Sequence, residues 1–156
     1  PHIGFIGCEP FINGVARLLT DVAQQGLDNI RIVMDDASLL LGSLKGASIG
    51  AAFLLFPDPW PKRRHSKRRF FSPETLDSLA LAMAPESELR VATDHPVYAR
   101  WCMRHGPVHA AFRWQVSGPQ DWRQRPRDGF STRYEERAVQ QGRTPMYLTF
   151  LRETAI

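Results

Sequence analysis

The stretch "GAAFLLFPDPWP", residues 50 to 61, runs seven apolar or small residues together and then stops against three prolines. A continuous apolar run of this length, without alternation, reads as a strand buried on both faces, which is the habit of a parallel sheet. Pro57, Pro59 and Pro61 each remove a backbone donor, so the segment after Phe56 cannot continue as an interior strand or a helix. Each proline also steers the residue before it toward extended backbone, here Phe56, Asp58 and Trp60. The expectation is a central strand that delivers one carboxylate, Asp58, on a stiff loop at the sheet's rim.

The same grammar repeats on either side. "IGFIGCE" (3–9) is a short apolar strand ending in an acid, and "FINGVARLLTDVAQQG" (11–26) follows as a helix stopped by Gly26. "NIRIVMDDA" (29–37) is a second strand ending in acids, with a short helical piece in "SLLLGSL". Beyond the prolines, Ser72 caps a helix with Pro73 at its first position, and "ELRVATD" (88–94) is another strand closed by an acid. "PVYARWCMRHG" (96–106) is helical, while "AFRWQVS" (111–117) and "MYLTFLRE" (146–153) alternate as an antiparallel strand pair. The alternation predicts an α/β fold, a mainly parallel doubly wound sheet closed by that C-terminal pair, over residues 1–156 as one domain. Ligands of such sheets sit beyond the carboxyl ends of the strands, where Glu9, Asp35 or Asp36, Asp58 and Asp94 all emerge. The chain opens at Pro1 rather than Met and enters a strand at once, so a front end upstream of residue 1 is expected.

With 156 residues, 43% of them hydrophobic, the chain has enough apolar surface for one compact core. The net charge of +4 would mean little if spread evenly, but six Lys or Arg crowd into residues 62–69. Cys8 and Cys102 fit no metal or redox spacing and read as small hydrophobes in a reducing compartment. No apolar run reaches membrane-spanning length and no leader precedes the first strand, so no membrane partner and a cytoplasmic location are expected.

Each candidate residue has a plain structural role beside its chemical one. Glu9 could accept hydrogen bonds from vicinal ribose hydroxyls, or simply favour a helix N-terminus. Asp36 could meet an adenine amine, while Asp35 could be solvated or cap the next helix. Lys62, Arg63, Arg64, Lys67, Arg68 and Arg69, with His65 among them, would form a cationic lip for phosphates beside Asp58. Asp94 faces the crevice, or Thr93 or Asp94 caps the following helix. Thr132 and Glu135 have capping-box spacing. His105 and His109 are four apart, but Gly106-Pro107 interrupts the helix between them, so no metal site is expected.

In order along the chain, "FIGCEPFINGV", "DDA", "FPDPWPKRRHSKRR", "VATDHPVYARW" and "STRYEERAVQQGRTPMYLTF" resemble the bacterial tRNA (guanine-N7-)-methyltransferase family. The resemblance covers nearly the whole chain, and FPDPW followed by K and RHxKRR is its most specific part. It implies a Rossmann-like fold that uses S-adenosylmethionine, leaving S-adenosylhomocysteine, to methylate guanine 46 of the tRNA variable loop. It makes Glu9 and Asp36 cofactor contacts, Asp58 a catalytic residue beside the cofactor, and Lys62 and Asp94 substrate contacts. Thr132, Arg133, Tyr134 and Glu135 stand where the family has T-K-F-E, a substrate-binding element, with Arg and Tyr preserving the charge and the ring. Arg64, His65, Ser66, Lys67, Arg68 and Arg69 would meet the RNA. The resemblance implies a glycine-rich motif and its acid, which the family places upstream of the position of this chain's Pro1.

Guanine N7 carries a free lone pair, so no general base is required; positioning and electrostatic support do the work. Asp58 or Asp94 could accept from the N1–H and N2–H edge of the base. A monomer or homodimer acting on tRNA fits this reading. Its alternative is a non-catalytic basic RNA-binding module on the same fold; a nicotinamide oxidoreductase would leave FPDPW and the basic run without a role.

Overall fold

The computed structural model describes residues 3–154. Two compact units make up the chain, one ending at Leu44 and the other beginning at Lys45.

In the first unit, β1 (Phe5–Cys8) and β2 (Ile30–Val33) pair in parallel, with Phe5 opposite Ile30 and Cys8 opposite Val33. The connecting helix α1 (Ile12–Gln24) ends where the sequence places its stop. Gly26 takes φ +61, and the N–H groups of Gly26 and Leu27 donate back to Ala23 O and Val22 O. That double bond closes the last turn in the Schellman manner and needs a residue free of a Cβ penalty at positive φ. A short helix, α2 (Ala37–Leu41), follows β2.

The second unit holds a mixed four-stranded sheet in the order β3-β4-β6-β5. Its strands are β3 (Ile49–Leu55), β4 (Met83–Thr93), β5 (Phe112–Trp114) and β6 (Met146–Arg152). β3 and β4 run parallel, whereas β6 lies antiparallel to both β4 and β5, so the C-terminal pair forms as the alternation predicts. Helices α3 (Pro73–Ala82), α4 (Pro96–His105), α5 (Gln120–Arg123) and α6 (Arg133–Gln140) surround it. The core of this unit packs Phe71, Leu76, Leu89, Tyr98, Cys102 and Phe150, all essentially without solvent contact. The Phe71 and Phe150 rings lie 5.4 Å apart.

Three local expectations need correction. The run 50–56 is not buried on both faces: β3 is the edge of its sheet, and Phe53 is 53% exposed. β4 begins at Met83 rather than near Glu88, because an irregular register between the Ile49 and Ala51 pairings accommodates Pro85 and a positive φ at Glu86. The helix cap before Pro96 is neither Thr93 nor Asp94. Pro96 takes the first helical position, which makes His95 the N-cap, and its Nδ1 accepts from Val97 N at 3.2 Å. Ser72 caps α3 as expected, with Thr75 completing a reciprocal box through its own hydroxyl.

Candidate functional site

Parallel strands bring their carboxyl ends to one edge, and both units use this. In the first, Glu9 leaves β1 as Asp36 leaves β2, with Glu9 N still donating to Val33 O. Glu9 Oε1 accepts from Phe11 N at 2.9 Å, which ties the acid to the start of α1. Gly14 leaves room for it: a Cβ there would lie 3.0 to 3.3 Å from the Glu9 side chain. Asp36 caps α2, its Oδ1 accepting from Ser38 N and Ser38 Oγ, while Asp35 Oδ1 accepts from Asp36 N. The cap thus falls to Asp36 rather than to Asp35, and neither acid's structural role excludes a ligand. The bonds fall on Glu9 Oε1 and Asp36 Oδ1, so Oε2 and Oδ2 stay available as acceptors. Cys8, the last residue of β1, directly precedes Glu9; partial burial, then the Asp36 charge, raises its thiol above the ordinary range.

In the second unit, Asp58 follows β3 and Asp94 follows β4, and Leu55 pairs with Ala92 just before them. The loop carrying Asp58 departs from the sequence reading. Phe56 and Trp60 are not extended but left-handed, at φ +50 and +40. Bulky residues avoid that region, and each costs on the order of 1–3 kcal/mol. Such strain persists only where neighbours impose it. Phe56 N donates to Ala92 O at 2.8 Å, and Asp58 is presented to solvent.

The basic run is a 3-10 helix, Arg63–Arg68, rather than an irregular lip. Its period of three stacks residues three apart on one side. Thus His65 and Arg68 both meet Trp60, the imidazole edge-on at 5.9 Å and the guanidinium 4.8 Å from the ring centroid. Lys62, Arg63, Arg64, Lys67 and Arg68 are exposed, and His65 and Ser66 half-buried. Arg69 is the exception to the expected surface of cations: it is 5% exposed and bonded to Pro59 O and Trp60 O. Its carbonyl partners account for the burial, since an unpaired charge would not tolerate it.

Asp94 lies against Arg143, Oδ2 to Nε 2.8 Å, in a cleft of about 570 Å³ also lined by Trp122, Arg123 and Met146. That volume lies within the range of small-molecule and nucleotide pockets. A smaller cleft of about 130 Å³ is lined by Phe53, Phe56, Arg90, Arg125, Thr132, Glu135 and Tyr147. Thr132 Oγ1 caps α6 by accepting from Glu135 N at 3.1 Å. Only half of the expected capping box forms, because the Glu135 side chain turns inward. Glu135 is 8% exposed, accepts from the Tyr147 hydroxyl at 2.7 Å and faces Arg125 at 3.5 Å. Arg133 and Tyr134 are exposed, with the guanidinium 5.5 Å from the Tyr134 ring centroid. Arg125, Arg143 and Tyr147 were not foreseen; all act across the fold, and no local spacing betrays them. Among the described residues no group of His, Cys, Asp or Glu could hold a metal ion, and no helix is long and apolar enough to cross a membrane.

The chain is 52% identical over 153 residues to a tRNA (guanine-N(7)-)-methyltransferase of Roseobacter denitrificans, covering 98% of this chain and 65% of that one. It is 47% identical to the protein of the same name from Rhodospirillum rubrum, covering 97% and 60%. The chain therefore spans less than two thirds of the length of these curated relatives. Among solved structures, an rRNA methylase from Streptococcus thermophilus matches 97% of this chain and 74% of its own with a TM-score of 0.60 at 11% identity. A SAM-dependent O-methyltransferase from Thermotoga maritima gives 0.56 at 14% identity, covering 98% of this chain and 51% of its own. At such identities the likeness shows the fold alone, a Rossmann-like methyltransferase fold. Residues 1–148 match the family model Methyltransf_4, described as "Putative methyltransferase", and with relatives near 50% identity over nearly its whole length, the chain belongs to that methyltransferase family.

Proposed function

We propose that this chain is part of a tRNA (guanine-N7-)-methyltransferase, that residues 1–156 belong to one methyltransferase domain, and that the target is guanine 46 of the variable loop. The observation that carries the reading is the sequence of features in residues 56–68: a strained loop presenting an exposed Asp58, followed at once by a 3-10 helix of exposed cations. The curated relatives that carry the name share about half of their residues with this chain.

Glu9 and Asp36 fit the demands of S-adenosylmethionine, each keeping one carboxylate oxygen for a ribose hydroxyl or an adenine amine. When bound, the cofactor supplies an electrophilic methyl on a sulfonium. Everything else falls to the protein's own residues. Lys62, Arg63, Arg64, His65, Ser66, Lys67 and Arg68 engage phosphates of the RNA backbone, and they do so by charge and shape rather than by sequence. Asp58 and Asp94 are the candidate acceptors for the N1–H and N2–H edge of guanine; accepting there favours the base as it gains positive charge. No proton is removed, because the attacking N7 lone pair is already free. Thr132, Arg133, Tyr134 and Glu135 belong to the substrate side, with the exposed Tyr134 ring offering a stacking face. The protein would act as a monomer or homodimer in the cytoplasm.

The test is methyl transfer by the full-length protein to unmodified tRNA, with the product mapped by reduction and strand scission. Label at the variable-loop guanine supports the reading; binding of tRNA without any transfer would favour a non-catalytic RNA-binding role instead.

A further inference from the structure

Arg69 is the one cation of the basic run that is withdrawn from solvent. Its Nε donates to Pro59 O at 3.1 Å and its terminal nitrogen to Trp60 O at 2.8 Å. Its guanidinium carbon lies 4.5 Å from the centroid of the Trp101 ring on α4. Trp101 Nε1 donates to Phe71 O at 2.5 Å, and Phe71 N donates to the Tyr98 hydroxyl at 3.2 Å. Phe71 and Tyr98 are among the most deeply buried side chains of the unit. A continuous chain of bonds and ring contacts therefore runs from the core through Arg69 to the two carbonyls that follow Asp58.

That loop has few means of holding itself. Three of its residues are prolines without an N–H, and Phe56 and Trp60 flank Asp58 at positive φ. A planar fork that bonds two successive carbonyls and stacks on an indole fits the task, and an ammonium, a point charge on a flexible stem, does not. Burying a cation is itself unfavourable, and a well-packed apolar side chain of similar size would serve stability at least as well.

We propose that Arg69 is a positioning residue for Asp58, clamping the FPDPW loop in its strained form, and that it makes no contact with RNA. This rests on the reading of Asp58 as an acid that meets the base. The test uses the full-length protein with Arg69→Lys, Arg69→Met and Lys67→Ala, measuring single-turnover methyl transfer at saturating tRNA, tRNA affinity across salt, and tryptic cleavage after Lys62. For Arg69→Met the transfer rate falls roughly 10- to 100-fold, Arg69→Lys restores part of it, and both keep the wild-type tRNA affinity and salt slope. Cleavage after Lys62 accelerates in Arg69→Met at temperatures where the protein stays folded. Lys67→Ala shows the contrasting pattern, weaker tRNA binding with a slope shallower by about one. An Arg69 variant that transfers at the wild-type rate, or that loses salt slope as Lys67→Ala does, overturns the proposal. If Arg69→Met does not fold, Arg69→Lys decides by the same two criteria. If the wild-type protein transfers nothing to tRNA, the functional reading fails, and the clamp stands or falls on the cleavage rates alone.

Discussion

The Tyr147 hydroxyl donates to Glu135 Oε1 across 2.7 Å, joining β6 to α6 through two buried residues. Burial, and then the Glu135 carboxylate, pushes the Tyr147 phenol far above its ordinary value. Ultraviolet titration should therefore leave Tyr147 protonated through pH 11, and a phenolate forming near pH 10 would refute the contact. Tyr147→Phe leaves a buried carboxylate short of a donor, at a cost of about 1–3 kcal/mol, read by chemical denaturation.

Gly106 closes α4 at an ordinary negative φ, so its smallness rather than its flexibility matters. A Cβ there would sit 2.3 and 2.6 Å from two ring carbons of Phe150, a residue with no solvent exposure. Gly106→Ala should destabilise the protein by about 1–3 kcal/mol, and Phe150→Leu should recover part of the loss. A denaturation midpoint unchanged by Gly106→Ala would show that the packing of α4 on β6 is looser than described.

His105 packs on Trp101, ring centroids 4.2 Å apart, and its Nε2 is buried without a hydrogen-bond partner among the described residues. Burial first, then the Arg104 charge, lowers its pKa below 6.5; Arg69 adds to this and Glu74 opposes it. The unfolded chain then takes up a proton that the folded one resists, so this group removes stability as pH falls below 6.5 and has no effect above it. The thermal midpoint of wild type should drop between pH 7 and 5.5 more than that of His105→Phe. Parallel profiles would assign the acid sensitivity elsewhere.

The surface cations give a quantitative expectation. If about four phosphates are neutralised, log affinity for tRNA falls with log salt at a slope of roughly −3.6. Alanine at any of Lys62, Arg63, Arg64 or Lys67 should reduce the slope by about one. A slope near zero would remove the 3-10 helix from the RNA interface.

Much of this was legible along the chain because the signals are local. The β–α rhythm, Gly26 as a stop, Ser72 before Pro73 and the acids at strand ends all depend on neighbours within four residues. The sequence reading lost accuracy where distant groups decide. Apolar residues 50–56 form a sheet edge because pairing order, not composition, sets which strand is central. Phe56 and Trp60 defy the rule for residues before proline because contacts from outside the loop, Ala92 O onto the Phe56 amide and Arg69 onto the Trp60 carbonyl, fix it. Arg69 looked like one more surface cation because nothing adjacent reveals Trp101, 32 positions away. Asp94 looked like a cap because its partner Arg143 arrives from the turn before β6.

The account turns on Asp58, and single-turnover methyl transfer by the full-length protein and its Asp58→Asn variant tests it most directly. Asn keeps the shape and loses the charge that, on the proposed reading, accepts from the guanine edge. The rate should fall by roughly 10²- to 10³-fold, as when an electrostatic support to the reacting group is removed, while tRNA affinity stays within about threefold because the cations remain. Transfer by Asp58→Asn at the wild-type rate would contradict the account.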